Sequence, residues 1–409
     1  MADGPGGAGG AVERHRPGTP GFRRLNAAMV CAGLAAFGIL YSSQPLLPAL
    51  STDFGVGAET ASLSVSAATG AVALAVVPAT ALAVRLGPVR AMQGALVVAT
   101  LLTAVGALAP SFGVLVAVRG ATGLALAAVV AVAMSHVGTQ VHPAGLGAAM
   151  GMYVAGNSIG GVTGRLVGSG VVDLSGWRAA TLAVAVLAAV TTALFWWLLP
   201  PPLPTVPAAA DAPPAAGTLR LLSDPSVLGL VLVPFLVMGG FVAVYNYLSY
   251  RLQAEPFALP AALAGLVFLA YLVGTVTSAW AGRLADRFGR ARVLLASIVV
   301  MGAGVALTLP DVLALVVVGV LVLTGGFFAA HATASGWTQV VGGRRPDRAS
   351  ALYVMAYYGG SSLFGALVGL AWEAEAWPGV AAGVGALVLG ALLAAGLVAA
   401  RQRRGVARA

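Results

Sequence analysis

Twelve stretches of the chain are apolar and close to the length that crosses a bilayer as a helix, about 20 residues. The pattern predicts spans near 25–48, 60–83, 90–109, 112–137, 146–171, 177–199, 226–250, 260–283, 292–309, 312–337, 350–371 and 379–400. The polar breaks between them are short, with one exception. From Pro200 to Asp224 the chain reads PPPLPTVPAAADAPPAAGTLRLLSD, a proline-rich linker that cannot continue a helix. It divides the runs six and six. The expected protein is all-α and polytopic, with one bundle over 25–199, a linker over 200–225 and a second bundle over 226–400. The Gly-, Pro- and Arg-rich residues 1–24 have no apolar period and are expected to be a disordered tail; residues 401–409 form a basic one.

The two halves repeat each other. Thr80–Arg90 (TALAVRLGPVR) and Gly282–Arg292 (GRLADRFGRAR) fall at equivalent places, so that Arg85, Gly87 and Arg90 align with Arg287, Gly289 and Arg292. Tyr153, Val154, Gly160 and Trp177 align with Tyr353, Val354, Gly360 and Trp377 at nearly the same offset. Duplicated six-helix halves are a transporter architecture.

Composition agrees with a membrane protein: 59% of residues are hydrophobic and 9% charged, against roughly 25% charged in soluble domains. The net charge of +9 forms no basic patch for nucleic acid. Eighteen of the 22 basic residues, all arginine, fall on one side of the spans. The opposite side has only Arg178 and Arg251 and carries Asp53, Glu59, Asp173, Glu255, Asp311, Glu373 and Glu375. Positive-inside topology then predicts cytoplasmic termini and linker. No cleavable signal peptide is evident, so the first run is expected to remain as an anchor. Cys31 is the only cysteine. No phosphate loop, dinucleotide fingerprint, zinc spacing or nucleophile elbow appears, so neither an enzyme nor an ATP-driven pump is expected, and no cofactor or metal.

GRLADRFGR resembles the cytoplasmic loop motif G-x-L-a-D-R-x-G-R of the major facilitator superfamily. LVAVRGATG, residues 115–123, resembles its L-x-x-x-R-x-x-x-G motif, and GNSIGG, residues 156–161, resembles the fifth-helix motif of the drug:proton antiporters with Asn157 where proline is usual. YSSQPLLPAL, GNSIGGVTGRL, FFAAHATAS and SALYVMAYYGGSS together resemble a bacterial inner-membrane subgroup labelled arabinose or multidrug efflux permeases. The resemblance implies the major facilitator fold and a monomeric secondary transporter of the inner membrane, exporting a small molecule by alternating access on the proton gradient. Uptake of a polar or anionic metabolite is the first alternative; a non-transporting sensor or scaffold is another. Two features depart from the pattern. The first loop copy has Val84 and Pro88 where Asp and Arg are expected, and none of the 13 acidic residues falls within a predicted span.

Candidate residues follow from cost and spacing. Gly282, Asp286, Arg287, Gly289 and Arg290 are expected to gate one face. The resemblance suggests that Asp286 rests against the N-terminus of the fifth helix near Gly145. Arg119 and Arg165 lie inside spans, where arginine is rare and faces a bundle interior or water. They are expected to meet an anionic or polar neutral cargo, with backbone solvation or snorkelling as the bland alternatives. Asn157, Gly161 and Arg165 form one ridge, and Tyr353, Tyr357 and Ser361 the matching one; Asn157 and Tyr357, with Gln44 and Asn246, complete the expected binding set. His331 is the histidine deepest in a span and is expected to carry the coupling proton, or else to be a satisfied neutral side chain.

Overall fold

The computed structural model describes residues 14–203, 220–343 and 346–406. Among them the backbone is helical nearly throughout, with one isolated bridge between His15 and Val141. The helices are α1 (Pro20–Leu40), α2 (Leu47–Phe54), α3 (Ala58–Leu86), α4 (Pro88–Gly106), α5 (Phe112–Gln140), α6 (Pro143–Leu198), α7 (Pro225–Gln253), α8 (Ala261–Ala264), α9 (Tyr271–Phe288), α10 (Arg290–Leu307), α11 (Leu313–Val341) and α12 (Pro346–Val406). α8 continues into α9 through a tighter turn, Gly265–Ala270.

Among the described residues, ten helical segments are long and apolar enough to cross a membrane. Two of them, in α6 and α12, run for 56 residues, or about 84 Å at 1.5 Å per residue, nearly three times a bilayer core of about 30 Å. Both are broken by non-helical backbone, α6 at Gly176 and α12 at Glu375 and Ala376. Each is thereby split into two limbs, at the places where the apolar runs predict separate spans over 146–171 and 177–199 and over 350–371 and 379–400.

Helix starts are written locally. Side-chain oxygens of Thr19, Ser111 and Asp224 accept from the N–H groups of Phe22, Val114 and Ser226, satisfying donors that the helix leaves free. Proline, which needs no such donor, occupies the first turns of α1, α4, α6 and α7. The first helix starts at Pro20, ahead of the first apolar run. Thr19 caps α1, and backbone bonds join His15 to Gln140 (2.9 Å) and His142 (3.0 Å). Residues 1–13, 204–219, Arg344, Arg345 and 407–409 lie outside the described residues.

The repeat extends to backbone angles. Gly87 has φ 85° and ψ 142°, and Gly289 has φ 87° and ψ 142°; a side chain there would be strained, so both halves turn at a glycine. Trp177 and Trp377 each follow a break and lie under a guanidinium, Arg178 at 4.3 Å and Arg251 at 4.8 Å. On α6, Gly156, Gly160 and Gly164 lie against the backbone of Val30, Leu34 and Gly38 on α1, while Gly360 of α12 lies against Phe235 of α7. Small residues permit this approach without a hydrophobic force between helices. The halves meet along α3 against α12 and along α6 against α8 and α9.

Candidate functional site: the seam between the halves

Arg165, on the first limb of α6, is 2% exposed and sits on this seam. Its Nε donates to Gln44 Oε1 (2.7 Å), Nη1 to the Gly161 carbonyl (2.8 Å) and Nη2 to the Tyr271 hydroxyl (3.2 Å). Three rings enclose the guanidinium: Tyr41 at 4.8 Å, Phe268 at 5.1 Å and Tyr271 at 4.7 Å. Tyr41 comes from the first half and the other two from the second. Gln44 Nε2 in turn donates to Asn246 Oδ1 (2.9 Å), and Asn246 Nδ2 to the Gly365 carbonyl (3.1 Å). The polar chain thus runs from α6 through the α1–α2 turn to α7 and α12. The charge is satisfied without a carboxylate, by oriented oxygens and aromatic faces. Three of the expected binding residues, Arg165, Gln44 and Asn246, are therefore brought together, and in this conformation they bond one another.

Arg119 does not join them. At 5% exposure, it donates through Nε to the Ser64 carbonyl (2.9 Å), through Nη1 to that of Ile39 (3.0 Å) and through Nη2 to that of Leu40. α1 ends at Leu40, and the last carbonyls of a helix have no partner within it. Arg119 supplies one, at the negative end of the helix dipole. Each of its nitrogens bonds to backbone in this conformation, the geometry of the bland alternative, backbone solvation, and apart from the other expected binding residues. Arg251 does the same for α10, donating to the carbonyls of Thr308, Leu309 and Pro310.

Nearer the arginine-rich side, α11 and α12 present the His331 cluster. Tyr353 Oη lies 2.8 Å from His331 Nδ1 and 3.1 Å from the His331 carbonyl oxygen. A hydroxyl has one proton, so both contacts are met when it donates to the carbonyl and accepts from Nδ1–H. That tautomer leaves Nε2 with a free lone pair. Tyr357 stands 4.9 Å from the imidazole and Phe327 lies nearly parallel to it. His331, Tyr357 and Asn157 are half-buried. The Tyr41 hydroxyl, Ser361 Oγ and Asn157 Oδ1 are buried with no hydrogen-bond partner among the described residues. Each such atom costs roughly 1–3 kcal/mol, which water or a polar cargo can offset.

Every hydrogen bond that crosses the seam among the described residues lies between its middle and the acid-bearing side. Ser362 Oγ donates to the Ser66 carbonyl (2.7 Å) at mid-depth. Farther out, Tyr250 Oη donates to the Leu47 carbonyl (2.9 Å) and shares a proton with Ser51 Oγ (2.7 Å). At the end, Asp173 accepts from the N–H groups of Ala261 (3.2 Å) and Ala262 (2.9 Å), at the start of α8. α6 and α8–α9 run antiparallel, and Asp286 stands at the other end of α9, toward the start of α6. Gly282, Asp286, Arg287, Gly289 and Arg290 are all exposed there, and Asp286 makes no hydrogen bond or salt bridge among the described residues. The sequence singled out Asp286 through its motif and treated Asp173 only as a charge on the acidic side. Phe268 and Tyr271 were missed because an apolar run gives no sign of which of its rings will meet an arginine.

The profile described as Major Facilitator Superfamily matches residues 28–268. An uncharacterized MFS-type transporter of Bacillus subtilis, YybF, is 34% identical over 94% of this chain and 95% of its own length. The inner membrane transport protein YnfM of Escherichia coli is 37% identical over 92% and 90%. Among solved structures, the nucleoside transporter NupG superposes with a TM-score of 0.74 at 15% identity, covering 91% of this chain and 99% of that one.

Proposed function

The chain belongs to the major facilitator superfamily and is a multi-pass membrane transporter, and we propose that it exports a small organic molecule in exchange for protons by alternating access. The membrane is the bacterial inner membrane, and the arginine count supports cytoplasmic termini. The observation that carries this reading is the asymmetry of the seam. It is latched on the acid-bearing side by Arg165, Gln44, Asn246 and Asp173, and Asp286 is unengaged on the arginine-rich side. Cargo enters from the cytoplasm toward Asn157 and Tyr357. Opening the far side requires the Arg165 and Asp173 contacts to break while Asp286 engages the start of α6, with Gly282, Arg287, Gly289 and Arg290 shaping that gate. No acidic residue lies deep in the described spans, and the Nε2 lone pair of His331 supports its assignment as proton carrier.

Transport into inside-out vesicles tests the reading, with sugars, organic anions and antimicrobials offered under an imposed pH gradient. Accumulation that requires an acidic lumen is the expected result. Accumulation confined to right-side-out vesicles would reverse the assigned direction, and gradient-independent equilibration of every cargo would remove the coupling.

A further inference from the structure

We propose that the outer face of α9, α10 and α11 holds one anionic phospholipid, its acyl chain in a groove and its phosphate at an arginine rim. The groove has a volume of about 750 Å³, within the size range of small-molecule sites. It extends along α9 from Val273 to Phe288, about 22 Å by helix rise, longer than the roughly 15 Å depth of one leaflet's hydrocarbon. Gly325 and Gly326 of α11 help form the floor, and Trp280 and Phe288 stand exposed on its wall. The hydroxyls that line it are already bonded within their own helices, Ser297 to the Val293 carbonyl (2.7 Å) and Thr277 to that of Gly274 (3.2 Å). The wall therefore offers its occupant an apolar surface and no polar partner.

Charge selects the occupant. Arg292 lines the groove at its arginine-rich end. Arg287 lies over the ring of Phe288, 5.1 Å from its centroid, so a second guanidinium stands at the same mouth. Arg283 and Arg290 are exposed on the adjoining helix ends. Against these four stands one carboxylate, Asp286, and none of the five forms a salt bridge among the described residues. An apolar channel that ends in unneutralised guanidinium groups matches an acyl chain joined to a phosphate. This site depends on membrane embedding, not on the direction or coupling of transport.

The test uses the purified full-length protein in vesicles of phosphatidylcholine containing a small fraction of a brominated lipid, either phosphatidylglycerol or phosphatidylcholine. Bromine on the acyl chain quenches tryptophan at contact, and subtracting the Trp280→Phe protein isolates the signal of Trp280. Each arginine at an anionic membrane surface is worth roughly fivefold in binding, so Arg287 and Arg292 together should let brominated phosphatidylglycerol outcompete brominated phosphatidylcholine roughly 25-fold. The double variant Arg287→Gln/Arg292→Gln should bring that ratio close to one. Ala296→Phe, which fills the groove without touching the rim, should reduce quenching by both lipids. Equal quenching by the two lipids in the parent protein would overturn the proposal, as would a preference that survives loss of both arginines. Quenching unchanged by Ala296→Phe would remove the groove from it.

Discussion

Replacing Arg165 with glutamine should open the acid-bearing side. Of its contacts, those made with the second half are lost when the halves separate: the hydrogen bond to Tyr271 and the stacking on Phe268 and Tyr271. A hydrogen bond to a charged group contributes roughly 1.5–3 kcal/mol, and each cation–π contact roughly 0.5–2 kcal/mol depending on desolvation. These terms overlap at Tyr271, so the closed state should lose about 2–4 kcal/mol relative to the open one. That is a shift of roughly thirty- to a thousandfold in their ratio. Tyr271→Phe removes only the hydrogen bond and keeps a ring beneath the guanidinium, so its shift should be near tenfold. Thr52 and Glu255 are exposed on that side, one in each half, and spin labels there report the separation by pulsed electron resonance. The expected result is a new, longer distance, dominant in Arg165→Gln and intermediate in Tyr271→Phe, in protein that remains monodisperse. A distribution in Arg165→Gln that matches the parent would refute the argument that this arginine closes the seam.

Asp173→Asn keeps an acceptor but removes the charge at the start of α8; an exposed carboxylate there contributes roughly 0.3–1 kcal/mol, so the same distance should shift only a fewfold. Asp286→Asn should leave folding and insertion intact, slow turnover and leave the arginine-rich side open for longer, read as faster alkylation of a cysteine placed at that mouth. His331→Gln should retain exchange of cargo down its own gradient while losing accumulation driven by a pH gradient; full retention of driven transport would end the coupling role. Arg119→Gln removes the charged donor at the end of α1 and should cost about 2–4 kcal/mol of stability, seen as a lower unfolding temperature in detergent, with apparent affinity for cargo unchanged in the protein that survives.

Much of the fold was legible because lipid makes its demands residue by residue. Each pass must be about 20 residues long and apolar, each break must be polar, and arginine must stay on one side, so length and charge alone give the passes and their expected direction. The duplication was legible too, since Gly87 and Gly289, or Trp177 and Trp377, are recognisable before their backbone angles and guanidinium partners are known. The fates of the buried arginines were not. Arg119 and Arg165 carry the same charge at similar cost, yet one closes the end of α1 and the other bridges the halves. What separates them is which oxygens and rings other segments bring within reach, and those segments are remote in the chain: Gln44 lies 121 residues from Arg165 and Tyr271 lies 106. Likewise, Asp173 and Asp286 are each a single carboxylate near a helix end. Only the antiparallel packing of α6 with α8 and α9 sets Asp173 at the start of α8 and leaves Asp286, at the opposite end of α9, without a hydrogen bond or salt bridge among the described residues.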